Sequence, residues 1–478
     1  MPDPAPRHRS ITGASGLARR LTRRDALRGG ARSLAALGAA GIALGSGEAM
    51  AAAIAQTAPT RPIAGTSLRI LTWHHIVADV DAWLQGFVSQ WGQQYQVTTS
   101  IDFADSATIP HALKTELEQG SGHDLIEHIA PLPMYARDLV DLADVQAEAA
   151  SRHGAALGFC RQDAIDPASG RTYGFVHGYS PLAIFYRQSM WESTHMASGP
   201  YSWSDLVLGS QAIWTSQGVP LAFGLSGDLD TTNTILTALW AHGGSLVDRS
   251  GNIALESDAT VAVVDMFREL YATCMLPNTL DWTIKSNNDA LFYGQAATIF
   301  NPLSAYVFTL QNQHDLGIDV RARRPLTGNA AVLAGRQPVA PAGARFVSMV
   351  PAFSPNQDTA REFLLALVSV YDQVNTASKL YNFPAYPSTV PLLKQDGGLL
   401  DNNPALPDQG RRLSVLKDAN QWTVNLGWPG PTTPLVGAAA VDGVLGRMVA
   451  QAATGALSSQ EAVRQAAARL ETLRRQAS

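Results

Sequence analysis

Gly170-Arg171-Thr172-Tyr173-Gly174-Phe175-Val176 and then Pro181-Leu182-Ala183-Ile184-Phe185-Tyr186-Arg187 decide how this chain is read. The first run is a turn leading into a strand and the second is another strand, each rich in β-branched and aromatic residues and bounded by Gly or Pro. Met190-Trp191-Glu192 and Tyr201-Ser202-Trp203-Ser204-Asp205-Leu206 follow. Upstream, Ser67 to Thr72 reads as a first strand ending at Trp73-His74-His75. Val77, Val80, Trp83, Leu84, Phe87, Val88 and Trp91 share one helical face, which predicts a helix from Val77 to Gln93. Val97 to Phe103 gives a second strand, Ile109 to Gln119 a second helix, and Leu125 to Ile129, after Asp124, a third strand. This alternation predicts an α/β protein with mainly parallel sheets flanked by helices. Ligands on such sheets meet the carboxyl ends of the strands, which places Trp73, His74 and His128 at a candidate site.

At the N-terminus, Thr22-Arg23-Arg24-Asp25-Ala26-Leu27-Arg28 precedes an apolar run from Ser33 to Gly45 and then Ala49-Met50-Ala51. These are the three parts of a secretion signal. The paired arginines before a modest Gly- and Ala-rich segment resemble a twin-arginine signal, although Ala26 stands where that motif has Phe. The run is shorter than the roughly 20 residues a membrane span needs. Cleavage is expected after Ala51, with Ala53 as the alternative, so residues 1–51 are read as signal peptide and 52–66 as a spacer. Of 478 residues 427 then remain, too many for one compact core, so two lobes are expected. Losing eight arginines and three acids from the 35 basic and 40 acidic residues leaves a net charge of −10. That charge argues against nucleic acid or anionic lipid as a partner.

The chain has only Cys160 and Cys274, which allows one disulfide or two separate buried thiols and excludes a disulfide scaffold. Neither lies in a zinc-like cluster. No nucleophile elbow, P-loop, His-Glu-x-x-His or dinucleotide fingerprint occurs, so no catalytic residue, metal or cofactor is assigned. Asp228-Leu229-Asp230-Thr231-Thr232-Asn233 faintly resembles a calcium loop but lacks its glycine and terminal Glu. Helix capping by Asp230 or Thr231 accounts for it better.

The Gly170–Leu206 stretch resembles the maltose-binding-like family of extracellular solute-binding proteins, with its Gly-Lys-x-Tyr-Gly-x-Pro turn, Leu-Tyr-Tyr-Asn-Lys strand and Thr-Trp element. Here Arg171 replaces the Lys, Val176 the Pro, and Arg187-Gln188 the Asn-Lys. Four further elements agree in order: Thr237 to Gly244, Leu291 to Ile299, Phe353 to Leu364 with Ser354 and Pro355 at a helix start, and Gly455 to Ala462. The resemblance implies a two-lobed type II periplasmic-binding fold joined by a multi-crossover hinge. It places 67–180 plus 305–370 in the N-terminal lobe and 181–304 plus 371–478 in the C-terminal lobe. It further implies a non-enzymatic, monomeric periplasmic protein that carries a sugar, oligosaccharide or polyol to ABC permease subunits in the inner membrane.

Sugars present apolar C–H faces and rings of hydroxyls, so aromatic platforms flanked by polar groups suit them. Trp73, Trp240 and Trp428 are the leading platforms, with Tyr179 at the expected lobe crossing, Trp282 and Tyr386 beside them. The wider set holds Tyr306, Tyr381, Phe383 and Trp422. Each ring can equally fill a core, as Trp83, Trp91 and Trp203 are expected to do. Among polar groups, Asp124 and His128 flank the third strand and Asn301 follows the Ala-Ala-Thr-Ile-Phe run. Trp428-Pro429-Gly430-Pro431 leads into a helix expected from Leu435 to Val449. Two other readings stand beside this one. A metal or siderophore carrier would use His74, His75, His128 and Asp124, and a twin-arginine-exported enzyme would be of redox or polysaccharide type.

Overall fold

A computed structural model describes residues 47–328, 337–404, 406 and 410–477. The Thr22–Leu27 signature and the apolar run behind it lie outside the described residues. Two sheets organise the rest. The first has the order β2 (Thr98–Ala104), β1 (Ser67–Trp73), β3 (Leu125–His128), β8 (Ala340–Met349), β4 (Phe175–Pro181), β9 (Phe383–Pro384), with β10 (Thr423–Val424) paired to β8. The second has the order β6 (Thr298–Asn301), β5 (Ala183–Arg187), β7 (Val320–Arg323). The chain passes from the first sheet to the second through Leu182 alone, between β4 and β5.

The expected two-lobed α/β class holds, while strand direction inside it is more mixed than mainly parallel. β1 pairs in parallel with β2 and β3, but β8 is antiparallel to both β3 and β4. β3 and β4 therefore point the same way, with one reversed strand between them. In the second sheet β5 runs against both β6 and β7. The reason is geometric. A strand returning from the other lobe enters at the boundary and runs away from it, and Ala342 near the start of β8 accordingly sits opposite Pro181 at the end of β4. All ten residues of β8 are buried, as expected of a central strand covered on both faces.

The lobe boundaries differ from expectation after β5. The segment from 305 was expected in the N-terminal lobe, yet β7 pairs with β5, so the chain stays with the second sheet through Arg323. The segment from 371 was expected in the C-terminal lobe, yet β9 pairs with β4 and β10 with β8. Sheet membership is set by long-range hydrogen bonding, which local pattern does not encode. The expected spacer is also tied down. Residues Gly47–Ala55 form a helix in which Ile54 is 1 % exposed, and the Tyr95 hydroxyl donates to the Ile54 carbonyl at 2.6 Å. A cut after Ala51 would fall inside that helix. Arg61 then pairs with Glu362 at 2.8 Å and Asp144 at 2.8 Å.

Local signals act where side chains meet their own backbone. The helix Trp203–Gln217 starts with a capping box of Ser202 and Asp205, and Trp203 is buried beneath it. The helix Leu229–His242 is capped by Asp228, which accepts from the Thr231 amide at 2.7 Å, rather than by Asp230 or Thr231. It stops at Gly243, whose left-handed backbone closes it. The helix expected to start at Ser354 and Pro355 spans Gln357–Ser369. Ser354 instead donates to Asp124 at 2.7 Å. The single helix expected from Leu435 to Val449 is two, Pro434–Asp442 and Val444–Ala453, bent by 45°. Gly443 at the break has φ +71°, and a Cβ there would collide with the backbone of Gly227, so this position needs glycine. Cys160 and Cys274 are both buried free thiols. Among the described residues no single helix is long and apolar enough to cross a membrane.

Candidate functional site

The first lobe meets the second at the carboxyl ends of β1, β3 and β4, and there it carries a buried polar network. Glu127 on β3 accepts from Trp73 Nε1 at 3.2 Å and from Thr72 Oγ1 at 3.3 Å. His177 Nε2 donates to its other oxygen at 2.7 Å, and His75 Nε2 lies 3.7 Å from the first. His75 in turn donates from Nδ1 to Asp81 at 2.6 Å. Burial alone would push the Glu127 carboxyl up, but the charge and hydrogen bond of His177, then those of His75, hold it well below the usual carboxylate range. Burial likewise opposes the charge on His75, and Asp81 and Glu127 outweigh it, so its pKa is raised. Phe346 of β8 packs among these groups, its ring 6.1 Å from Trp73, 5.8 Å from His177 and 6.3 Å from Tyr381.

The second lobe answers with amides and acids from three elements. Asn301, at the end of β6, accepts from Asn287 Nδ2 at 3.1 Å and donates to Asn288, which donates to Ser304 Oγ at 3.2 Å. Asn287 Nδ2 also reaches Asp230 at 3.3 Å. Burial, then the neighbouring charge of Asp228, raises the Asp230 carboxyl well above its ordinary value, and the Asn287 bond only partly offsets this. Across the seam, burial raises the Tyr381 hydroxyl, and Asp230 lies near enough to add to that rise. One turn along the same helix, Asn233 Nδ2 donates to the Gly343 carbonyl of β8 at 3.2 Å. The buried atoms along this seam that have no protein partner among the described residues include Asn233 Oδ1, Asn287 Oδ1 and His177 Nδ1, and also the hydroxyl of Tyr371, whose ring packs 5.7 Å from His177.

Of the residues singled out in the sequence, Trp73 and Asn301 lie in this seam. His74 is about half exposed on the same strand end, bonded to Asp81 at 3.2 Å. Asp124 sits at the opposite, amino end of β3, accepting from the Arg69 amide at 2.8 Å, Ser354 and Asn356. His128 bonds the carbonyls of Ala130 and Ser106, and burial lowers its pKa. The four residues of the metal reading therefore do not converge, and no group of three or more His, Cys, Asp or Glu among the described residues could hold a metal ion. Tyr179 is fully buried between Phe159 and Phe383, and Tyr386 is buried beside Phe175. Trp282 is half-buried beside Gly224. Trp240 packs edge-on against Trp428, 5.5 Å apart, and Trp428 lines a separate cavity.

Glu127, His177, Asp230, Asn233, Asn287 and Phe346 were not singled out as ligand residues from the sequence. One signal was available, since an acid on the expected strand Leu125–Ile129, whose other members apart from His128 are apolar, must find partners when buried.

Two α/β lobes joined by crossing strands around a polar seam define the class of two-lobed, MalE-type periplasmic binding proteins. The family model of the bacterial extracellular solute-binding proteins matches residues 77–370, more than half of the chain, and this protein belongs to that family. Solved structures agree in fold. The maltose-bound MalE3 of T. maritima is 18% identical with a TM-score of 0.69, covering 86% of this chain and all of that one (100%). An ABC transporter solute-binding protein from Agrobacterium radiobacter in complex with ribitol is 16% identical with a TM-score of 0.70, covering 86% and 100%. A sugar transporter from Arthrobacter chlorophenolicus with bound laminaribiose is 13% identical with a TM-score of 0.69, covering 85% and 99%. Among curated relatives, a Brucella abortus protein described as a binding protein is 22% identical over 102 residues, 21% of this chain and 25% of that protein.

Proposed function

We propose that this protein is the substrate-capturing component of an ABC importer, holding a sugar, oligosaccharide or polyol in the seam between its lobes without altering it chemically. On this reading it is exported through a twin-arginine signal, acts in the periplasm as a monomer, and hands its ligand to permease subunits in the inner membrane. The observation that carries the reading is the set of unpartnered buried polar atoms from both lobes, Asn233 Oδ1, Asn287 Oδ1 and His177 Nδ1. A buried polar atom left unpaired costs about 1–3 kcal/mol, and folded proteins retain few of them. Ligand hydroxyls, which both donate and accept, fit such a set, and Trp73 and Tyr381 supply ring surface beside it. Maltose, ribitol and laminaribiose in the three fold neighbours support the ligand class.

A thermal-shift screen over neutral sugars and polyols tests this, because a ligand bound only by the folded state raises Tm. At least one such compound is expected to do so, and Asn287→Ala is expected to weaken its binding about tenfold or more in calorimetry, the loss of one or two buried hydrogen bonds. Stoichiometric metal in the purified protein, or turnover of the sugar without a transporter, would instead favour the carrier or enzyme readings.

A further inference from the structure

Arg345 and Phe346 are consecutive on β8 and so point to opposite faces of the first sheet. Phe346 faces the seam. Arg345 is fully buried on the other face, ion-paired to Asp163 and donating to the Val424 carbonyl at 3.1 Å. Asp163 also accepts from the Leu426 amide at 3.0 Å and from Thr432 Oγ1 at 2.6 Å, which fixes the 425–432 segment beside the helix Gly158–Asp163. Between that segment and that helix lies a cavity of about 710 Å³, lined among others by Phe159, Gln162, Arg249, Asn420, Asn425 and Trp428. None of Asp230, Asn233, Asn287 or Asn301 lines it. Its size falls within the roughly 300–1,000 Å³ of small-molecule sites.

The lining is chemically one-sided. Arg249 is its only charged residue, is exposed, and has no ion pair or hydrogen bond among the described residues. Trp428 is half-buried and held edge-on against Trp240, which leaves a rigid ring at the wall. Gln162 adds an amide that both donates and accepts, Asn420 adds its Nδ2 donor while its Oδ1 accepts from Lys394 at 3.3 Å, and Asn425, whose Nδ2 donates to the Gly430 carbonyl at 2.8 Å, adds its Oδ1 acceptor. We propose that this cavity is a second ligand site, separate from the seam, that takes a small polyhydroxylated carboxylate such as a hexuronate. The guanidinium of Arg249 takes the carboxylate through paired N–H donors, the C–H face of the ring lies on Trp428, and the amides take hydroxyls. The walls come from both lobes, since the helix Gly158–Asp163 packs on β4 and Arg249 sits in the turn between bridged Val247 and Ile253.

Calorimetric titration of the purified protein with sodium glucuronate, and with glucose as the neutral control, tests the assignment. Glucuronate is expected to bind, and to bind about tenfold or more weakly in Arg249→Gln, the loss expected for a charge-assisted pair. Trp428→Phe should retain binding and Trp428→Ala should weaken it, with thermal melts confirming that each variant is folded. Asn287→Ala, which disables the seam, should leave glucuronate binding unchanged. No glucuronate binding at millimolar concentration overturns the proposal, as does equal affinity in Arg249→Gln. Loss of glucuronate binding in Asn287→Ala also overturns it, because the acid would then occupy the seam. The seam reading fails by a different result, the absence of any neutral ligand, so the two failures are distinguishable.

Discussion

Glu127 and Asp230 are both acids at the lobe seam, and their surroundings drive them in opposite directions. Glu127 is surrounded by donors, Thr72, Trp73 and His177, with His75 nearby, and is held ionised. Asp230 has one amide partner and a second acid, Asp228, beside it, and is pushed towards its protonated form. The first lobe thus spends most of its polar groups on one another and presents a firm floor. The second lobe keeps a less satisfied wall, on which Asn233 Oδ1 and Asn287 Oδ1 are left without a protein partner among the described residues.

The sharpest way to break this comparison is to empty the floor. Glu127→Ala leaves His177 and His75 buried without their acid, and is expected to destabilise the protein by about 3–5 kcal/mol in urea unfolding. A loss below about 1 kcal/mol would show that the floor is not held by this pair. The wall should respond with the opposite sign. Asp230→Asn keeps the shape and removes the repulsion from Asp228, so stability is expected to rise by about 1 kcal/mol. Destabilisation there would mean that the ionised carboxylate is held by partners as Glu127 is.

The smallest effect is in pH. His75 has a raised pKa, so its stabilisation is complete below its ordinary value of 6.5 and is lost as pH rises through the folded value. Glu127 has a lowered pKa, so its stabilisation is present above its ordinary value of 4.5 and is lost as pH falls through the folded value. Both contributions coexist between those limits. Urea midpoints from about pH 5 to about pH 8 should decline toward the alkaline end, and His75→Gln should flatten that decline. An unchanged slope in the variant would remove His75 from the account.

Much of the architecture was legible because it is written locally. The Val80–Trp91 stripe, the Ser202 capping box and the helix stop at Gly243 each depend on residues within a few positions of one another. The site was less legible. Trp73 and Asn301 were identified because they end strands, and strand ends can be read from pattern. Asp124 does flank β3, but at its amino end, away from the seam, and His128 meets backbone carbonyls. Trp428 stands on the far side of the hinge strands from the seam, beside a cavity whose walls are remote in the chain.

The sequence by itself determined much of the order of strands and helices and the kinship with solute-binding proteins, since periodicity, capping and motif order act over short separations. Only the tertiary structure decided which polar groups meet. β8 is inserted between β3 and β4 from more than a hundred residues away, and that one insertion sends Phe346 to the seam and Arg345 to the cavity behind it. Burial then obliges each charged or polar group to find whatever partner the packing brings, and no local pattern specifies that partner.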